Sequence, residues 1–550
     1  MSFRKLREVM DNLTPVRSFT PARILHLHFS VLLVFAVTAS APSHAQITTG
    51  QLLDTLQHAA FNFFWSESNP SNGLIKDRSA SGAPCSIASV GFGLTAICIG
   101  ADHGWVAHAA ARDRVLTTLR TFWSGPQGTG QSGYIGYKGF FYHFLDMTSA
   151  VRTWNSELST IDSGLLLAGI LYSKQYFDGS DSSEVEIRAL ADSIYRRADW
   201  EWFRNLNPGL MMGWNPGTGF LNYGQWIGYN EAMIIYILGY GSPTHRIPDK
   251  YGWQAWTGGY QWQTQYANTY VIFPPLFGHQ YSHCWVDFRN IADAYMRTKG
   301  IDYSENSRRA TLAQHSYCVA NPGGFAGYGD SLWGITASDA PGGYSARGAP
   351  PPQGDDGTLV PTASISSITF APEIVIPTIH KMWDTYGSQL WTPYGFRDAF
   401  NLAVNWWGPD VIGIDQGPII IMIENYRTGS VWNRFMQNPD VRRGLDSIGF
   451  RTVTSVKENK QTPGSFTLDQ NYPNPFNGST TIRFELPSGG HVRLSVFDVL
   501  GRELMRLVDE YRVAGKYSEP MDAGTIASGL YQYRLQWNGH VASRKLVLIK

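Results

Sequence analysis

The sequence predicts a mainly helical protein, an (α/α)6 barrel or toroid, followed by a small all-β sandwich. Three observations carry that expectation. Between Thr49 and about Ile448, fully apolar helical stretches alternate with amphipathic ones, about twelve in all, as inner and outer rings would. Of the 19 tryptophans, only Trp537 lies beyond position 450, so the aromatic load belongs to one domain. From Phe466 onward the pattern changes to apolar–polar alternation, the period of half-buried strands.

The chain begins with Arg4, Lys5, Arg7, Arg17 and Arg23, then an apolar run from Ile24 to Val37 and small residues around Ser43-His44-Ala45. This reads as a signal peptide over residues 1–45. The run is short and broken by His26 and His28, so a membrane span in the mature chain is not expected. The helical domain is placed at 49–450. Leu52–Phe64 has apolar residues at helical spacing, Ala88–Gly100 is small and apolar throughout, and Val106–Trp123 is amphipathic. Ser159–Phe177 contains GLLLAGILY, and Val185–Phe203 is amphipathic. Ala232–Leu238 is apolar on every face, and Gly239 and Pro243 stop it. Further helices are expected at His283–Arg297, Arg308–Val319, Ile368–Tyr386, Ile419–Glu424 (beginning at Pro418) and Val441–Ile448. Long Gly- and aromatic-rich segments separate them, which in a barrel would crowd one end into a cleft. Residues 451–465 read as a linker, and 466–550 as the sandwich.

Lys+Arg and Asp+Glu are both 44, and this balance suggests neither nucleic acid nor an anionic membrane as partner. Four cysteines are too few for a disulfide scaffold, although one bridge is open to an exported chain. With no CxxC or HExxH motif, neither a metal nor a cofactor is expected.

Three inner-helix starts carry acids. Glu231 follows Trp226 and Tyr229; it either complements the helix dipole or is an acid kept protonated among rings. Glu157 and Asp162 flank the start of the next candidate, where Asp162 also suits a capping role. Tyr142, His143 and Asp146 lie just before them. Asp415 follows Trp406 and Trp407, with an N-cap role as the plain alternative. Two carboxyls flanking a glycosidic bond are what sugar hydrolysis needs, and flat rings are what sugar faces pack on.

Several motifs carry a resemblance when taken together. They are Phe61–Trp65 leading to Ser71–Leu74, SELSTID, YNEAMIIYILG, WGITASDAPGGYSARGAP from Trp333, DGTLVPTASISSITFAPEIV from Asp356, and GFRDAFN from Gly395. Over about Leu52–Ile448 the chain resembles the glucoamylase-like family that contains bacterial endo-β-1,2-glucanases. The resemblance implies an (α/α)6 barrel, no metal cofactor, and an inverting hydrolase of β-1,2-glucan. It makes Glu231 the general acid and Asp415 the base, with Glu157 and Asp162 as rivals for that second role. Tyr142, His143, Trp226, Tyr229, Trp333, Trp406 and Trp407 are the candidate substrate-binding residues. From Phe466, the motifs NYPNPFN, FDVLGRE and SGLY and the basic end RKLVLIK resemble the C-terminal sorting domain of type IX secretion substrates. That implies the type IX secretion machinery as a partner, and export through the periplasm to the cell surface or beyond. Two other readings stay open. One is an α/α-toroid polysaccharide lyase using His143, Tyr142 and Arg152; the other is a non-catalytic glycan-binding protein.

Overall fold

A computed structural model describes residues 47–453, 465–512, 515–524 and 526–549. The signal peptide expected over 1–45 and most of the expected linker lie outside the described residues.

The helical part is built around six apolar members. Ile87–Asp102 packs on Thr160–Tyr176, and that helix packs on Met233–Gly241. Gly413–Arg427 packs on Ile87–Asp102 from the other side and also touches the short helix Pro361–Ile365. A 3-10 turn, Tyr281–Cys284, bridges the remaining interval. Its Ser282 Oγ accepts from Ile234 N, and Tyr281 OH donates to Ile414 O. Beside it, Gln280 Nε2 donates to Ala363 O. Amphipathic helices pack outside this set. Thr49–Ser66 lies against Gly413–Arg427 and Ile87–Asp102, His108–Ser124 against Ile87–Asp102 and Ser182–Arg197, and Pro439–Ile448 against Met233–Gly241.

Burial explains which sequence goes where. Every residue of Met233–Gly241 is buried, as expected of a helix with no polar face. The closest helix pair depends on two glycines: a Cβ on Gly91 would overlap Leu165 O, and one on Gly169 would overlap Gly91 O. All four cysteines are free and buried, so the optional bridge is not made.

Several element boundaries differ from expectation. Residues 283–297 are not one helix. Asn290 takes a left-handed conformation (φ 60°), Ile291–Ala292 pair as a strand with Arg451–Thr452, and only Ala294–Lys299 is helical. The same pairing draws 451–453 into the helical part, so the linker begins later than 451; Val453 N donates to Asn290 O. The last inner helix begins at Gly413, not at Pro418, which lies inside it. Proline has no N–H to give the carbonyl four residues back. Here that carbonyl belongs to Ile414, and the Tyr281 hydroxyl supplies the missing donor at 3.1 Å.

The C-terminal part has its own core, including Ile482, Phe484, Val492, Leu494, Val496, Tyr533, Leu535 and Leu546. Thr467–Leu468, Ser479–Leu486 and Gly515–Asp522 form a three-stranded sheet. Glu503–Arg512, Gly490–Phe497, Gly529–Trp537 and His540–Leu548 form, in that order, a four-stranded antiparallel sheet. The NYPNPFN segment is tied in by hydrogen bonds from Asn471 N to Tyr533 OH and from Val547 N to Asn474 Oδ1. Among the described residues, no helix is long and apolar enough to cross a membrane.

Candidate active site

The inner elements gather their N-terminal ends in one place. Ile87 N donates to His143 O, Ser282 Oγ donates to Glu231 O, and Thr362 Oγ1 donates to Asp415 O. The loops before these ends carry the acids.

Glu231 sits two residues before the first helical residue, Met233. The work of closing this helix end is done by others. Asn230 Oδ1 accepts from Ala232 N, and Ser282 Oγ accepts from Ile234 N. The Glu231 carboxyl is therefore not spent on capping, and its Oε2 is buried without a hydrogen-bond partner. Burial raises this carboxyl to about 7, and the nearby charge of Asp162 adds to the rise. Glu231 thus keeps a proton near neutral pH and has an oxygen free to deliver it.

Asp162 lies in the first turn of its helix and shares a reciprocal contact with Ser159, whose Oγ donates to its Oδ2 and accepts from its backbone N–H. Its other oxygen lies 3.6 Å from His143 Nε2, while His143 Nδ1 lies 2.9 Å from Glu157 Oε1. Burial pulls His143 down, but the charge of Asp162 and the hydrogen bond and charge of Glu157 outweigh it and hold the imidazole at about 9. Burial pushes Glu157 up, but the bond and charge of His143 prevail and hold it low. His143, Glu157 and Asp162 are also the group among the described residues whose donor atoms lie within 4.8 Å of one another, as a cation would require. Held near 9, the His143 imidazole would have to give up a proton before it could bind one.

Asp415 is buried in the first turn of Gly413–Arg427 and faces a second buried aspartate, Asp398. Burial first, and then the Asp398 charge, push Asp415 well above the carboxylate range; Asp339 and Asp77 add to this. Burial also raises Asp398, although its contact with Asp415 and a 2.7 Å hydrogen bond from Asp339 N oppose the rise. Two buried carboxyls this close do not both ionise, so they titrate as a pair holding one proton. With one proton between them, the Asp398–Asp415 pair carries a single negative charge that could accept another proton. Arg78 is the counter-charge nearby, 2.9 Å from both Asp77 and Asp339. Tyr281 lies in the field of both Asp415 and Glu231, and so links the two acid groups. The Ser338–Ser345 hairpin brings the Tyr344 hydroxyl into the field of Asp415 and Asp398.

The aromatic candidates divide. Trp226 is half-buried and donates from Nε1 to Thr160 Oγ1. Trp406 and Trp407 are half-buried on a two-residue strand paired with Phe400–Asn401, and Trp407 stacks on Phe400. Tyr229 is a core ring packed on His279 and Tyr303, with its hydroxyl near Ser307. Trp333 and Tyr142 are buried too. These three do not face solvent, because the loops carrying them fold inward to fill the space between helices. Arg152 covers the Tyr142 ring and donates to the carbonyls of Ser156, Asn155 and Gln131, so its guanidinium is committed to backbone. The backbone ties of Arg152 leave it poorly placed as the charge neutraliser that a lyase needs.

Asp398, Asp77, Arg78, Asp339, Tyr281 and Tyr344 were not singled out by sequence reasoning. Asp398 stands inside GFRDAFN, and Asp339 and Tyr344 inside WGITASDAPGGYSARGAP. Those motifs were the available signal, but no local spacing marks the residues as partners.

Comparison with known proteins places these observations among relatives. A family model described as "Putative glucoamylase" matches residues 223–439, and one described as "Secretion system C-terminal sorting domain" matches residues 470–550. An exo β-1,2-glucooligosaccharide sophorohydrolase (non-reducing end) from Parabacteroides distasonis is 30% identical over 449 residues, 75% of this chain; the chain spans 59% of that relative's length. A solved structure from Bacteroides uniformis, named a "putative glucoamylase", is 34% identical with a TM-score of 0.69, covering 74% of this chain and 99% of the other. The endo-β-1,2-glucanase from Chitinophaga pinensis, in complex with sophorotriose and glucose, is 26% identical with a TM-score of 0.68, covering 74% and 99%.

Proposed function

The chain belongs to the glucoamylase-like family of the first of those models, and on that footing we propose that it is a secreted glycoside hydrolase of β-1,2-glucan with an (α/α)6-barrel catalytic domain. The observation that carries the chemistry is Glu231: a desolvated carboxyl raised to about 7, with one oxygen unpartnered, at the end where the inner helices meet. The choice of linkage rests on the relatives, a sophorohydrolase and an endo-β-1,2-glucanase.

Glu231 donates its proton to the glycosidic oxygen as the bond from that oxygen to the anomeric carbon breaks. A water on the opposite face attacks that carbon and gives its proton to the singly charged Asp398–Asp415 pair, leaving the pair neutral. The product has inverted configuration, and an inverting site leaves roughly 6.5–9.5 Å between acid and base for the water. Glu157 and Asp162, tied to His143, bound the acid's side of the site; burial raises Glu231, and the nearby Asp162 carboxyl adds to the rise. The C-terminal match supports export by a secretion system that reads the tail.

Product analysis on β-1,2-, β-1,3-, β-1,4- and α-linked glucans tests this reading. Reducing ends of inverted configuration are expected from the β-1,2-linked substrate. Release from another linkage alone, products with an unsaturated end, or binding without turnover would each overturn it.

A further inference from the structure

Of the 19 tryptophans, only Trp123 and Trp154 are exposed, and Trp123 lies under the Arg197 guanidinium. Trp154 is the more exposed, at 67%, and among the described residues the ring it meets is Phe144, at 5.3 Å. Phe144 in turn stacks on His143 at 3.9 Å, and His143 holds Glu157 and Asp162. The exposed indole is thus two ring contacts from the candidate site.

The backbone beneath it is fixed at a cost. Trp154 and Asn155 both have left-handed φ angles, 57° and 53°, where bulky side chains are strained. Thr153 N is bonded to Phe144 O, and buried Arg152 grips the carbonyls of Asn155 and Ser156. Asn215 Nδ2 also donates to Asn155 O, and Tyr223 lies in the field of Glu157. A loop tied by these hydrogen bonds therefore holds a large apolar ring out in water, two ring contacts from a group rich in acids. Core packing does not require that ring to be there.

We propose that Trp154 is a stacking platform for a glucosyl unit of the substrate chain, a subsite outside the acid groups. The proposal rests on the glycan-hydrolase reading above. A pyranose presents an apolar C–H face, and an indole in the open meets it without first being uncovered. Such a subsite matters only to chains long enough to reach it.

The test is the affinity for β-1,2-gluco-oligosaccharides of increasing length, measured by calorimetry in a Glu231→Gln background and compared with steady-state KM and kcat in the active chain. Trp154→Ala should weaken binding of long chains about tenfold and of the disaccharide little, with KM rising more than kcat falls. Trp154→Phe, which keeps a ring, should lie between. A loss equal at every length, or seen in kcat alone, would overturn the subsite and assign Trp154 a role in holding Phe144 and His143. Product release by the wild-type chain, with both variants binding chains of every length as tightly as the Glu231→Gln parent does, overturns the subsite alone. No binding and no product with the wild-type chain overturns the substrate reading, and the subsite with it.

Discussion

Whether a carboxyl is an acid or a base is decided by what surrounds it. Glu231, raised from an ordinary 4.5 to about 7, should give kcat/KM an alkaline limb near pH 7 if it is the proposed general acid, whose proton turnover would need. A substrate with a good leaving group needs little protonation and should lose that limb. Glu231→Gln should cut turnover of natural glucan about a hundredfold or more and be largely rescued by such a substrate. The stability sign follows from the same shift. The buried neutral form is the stable one, so its contribution is full below about 4.5 and is lost as pH rises through 7. Thermal melts of Glu231→Gln should therefore gain on wild type between pH 4 and pH 8. For the aspartate pair, Asp415→Asn and Asp398→Asn should each cost about a hundredfold in kcat, without rescue by the leaving group. The double variant should be little worse than either, since the two act as one unit. Fully multiplicative losses would show that the two act separately.

Elements place these residues by close packing and by buried polar contacts. Gly91 and Gly169 let two inner helices approach backbone to backbone, so Gly91→Ala should destabilise by about 1–3 kcal/mol in denaturant melts, the scale of overpacking. Glu424 joins three helices: it accepts from Gln57, lies 2.8 Å from His103 Nε2, and accepts from Thr428 Oγ1. Burial pushes this carboxyl up, but the hydrogen bonds of His103, Thr428 and Gln57 prevail and hold it at about 2. A depressed acid contributes stability above its unfolded value, near 4.5, and loses it as pH falls through 2. Glu424→Gln should therefore lower the melting temperature at pH 6 and should differ much less from wild type near pH 2. An unchanged gap between the two pH values would mean that the contact contributes through shape, not charge.

In the whole molecule, the candidate catalytic site and the sorting-domain match lie on parts with separate cores. A chain ending at Val453 keeps the pairing of Arg451–Thr452 with Ile291–Ala292, and with it every residue of the candidate site. It should fold and hydrolyse glucan like the full chain, yet remain in the periplasm of its native host. Residues 465–550 alone should carry no hydrolase activity. A truncated chain that is still exported, or that loses activity, would remove this division.

Much of the fold was legible because a helix with no polar face has only one place to go: Thr160–Tyr176 and Met233–Gly241 were readable from composition and spacing alone. The β tail was legible for the same reason at period two. The 283–297 stretch and the start at Gly413 were not, because those ends depend on partners: Arg451–Thr452 in one case, the Tyr281 hydroxyl in the other. Four candidate acids, Glu231, Glu157, Asp162 and Asp415, were visible in the sequence as residues. That Glu231 is free of capping depends on Asn230 and on Ser282, fifty-one positions away. That Asp415 titrates with Asp398 depends on burial and on a fold that brings Asp339 and Asp77 to the same end. Local pattern determined which segments are buried, since burial follows from the residues themselves. Protonation and pairing were decided only by tertiary structure, since both depend on distance and solvent exclusion between segments the sequence holds far apart.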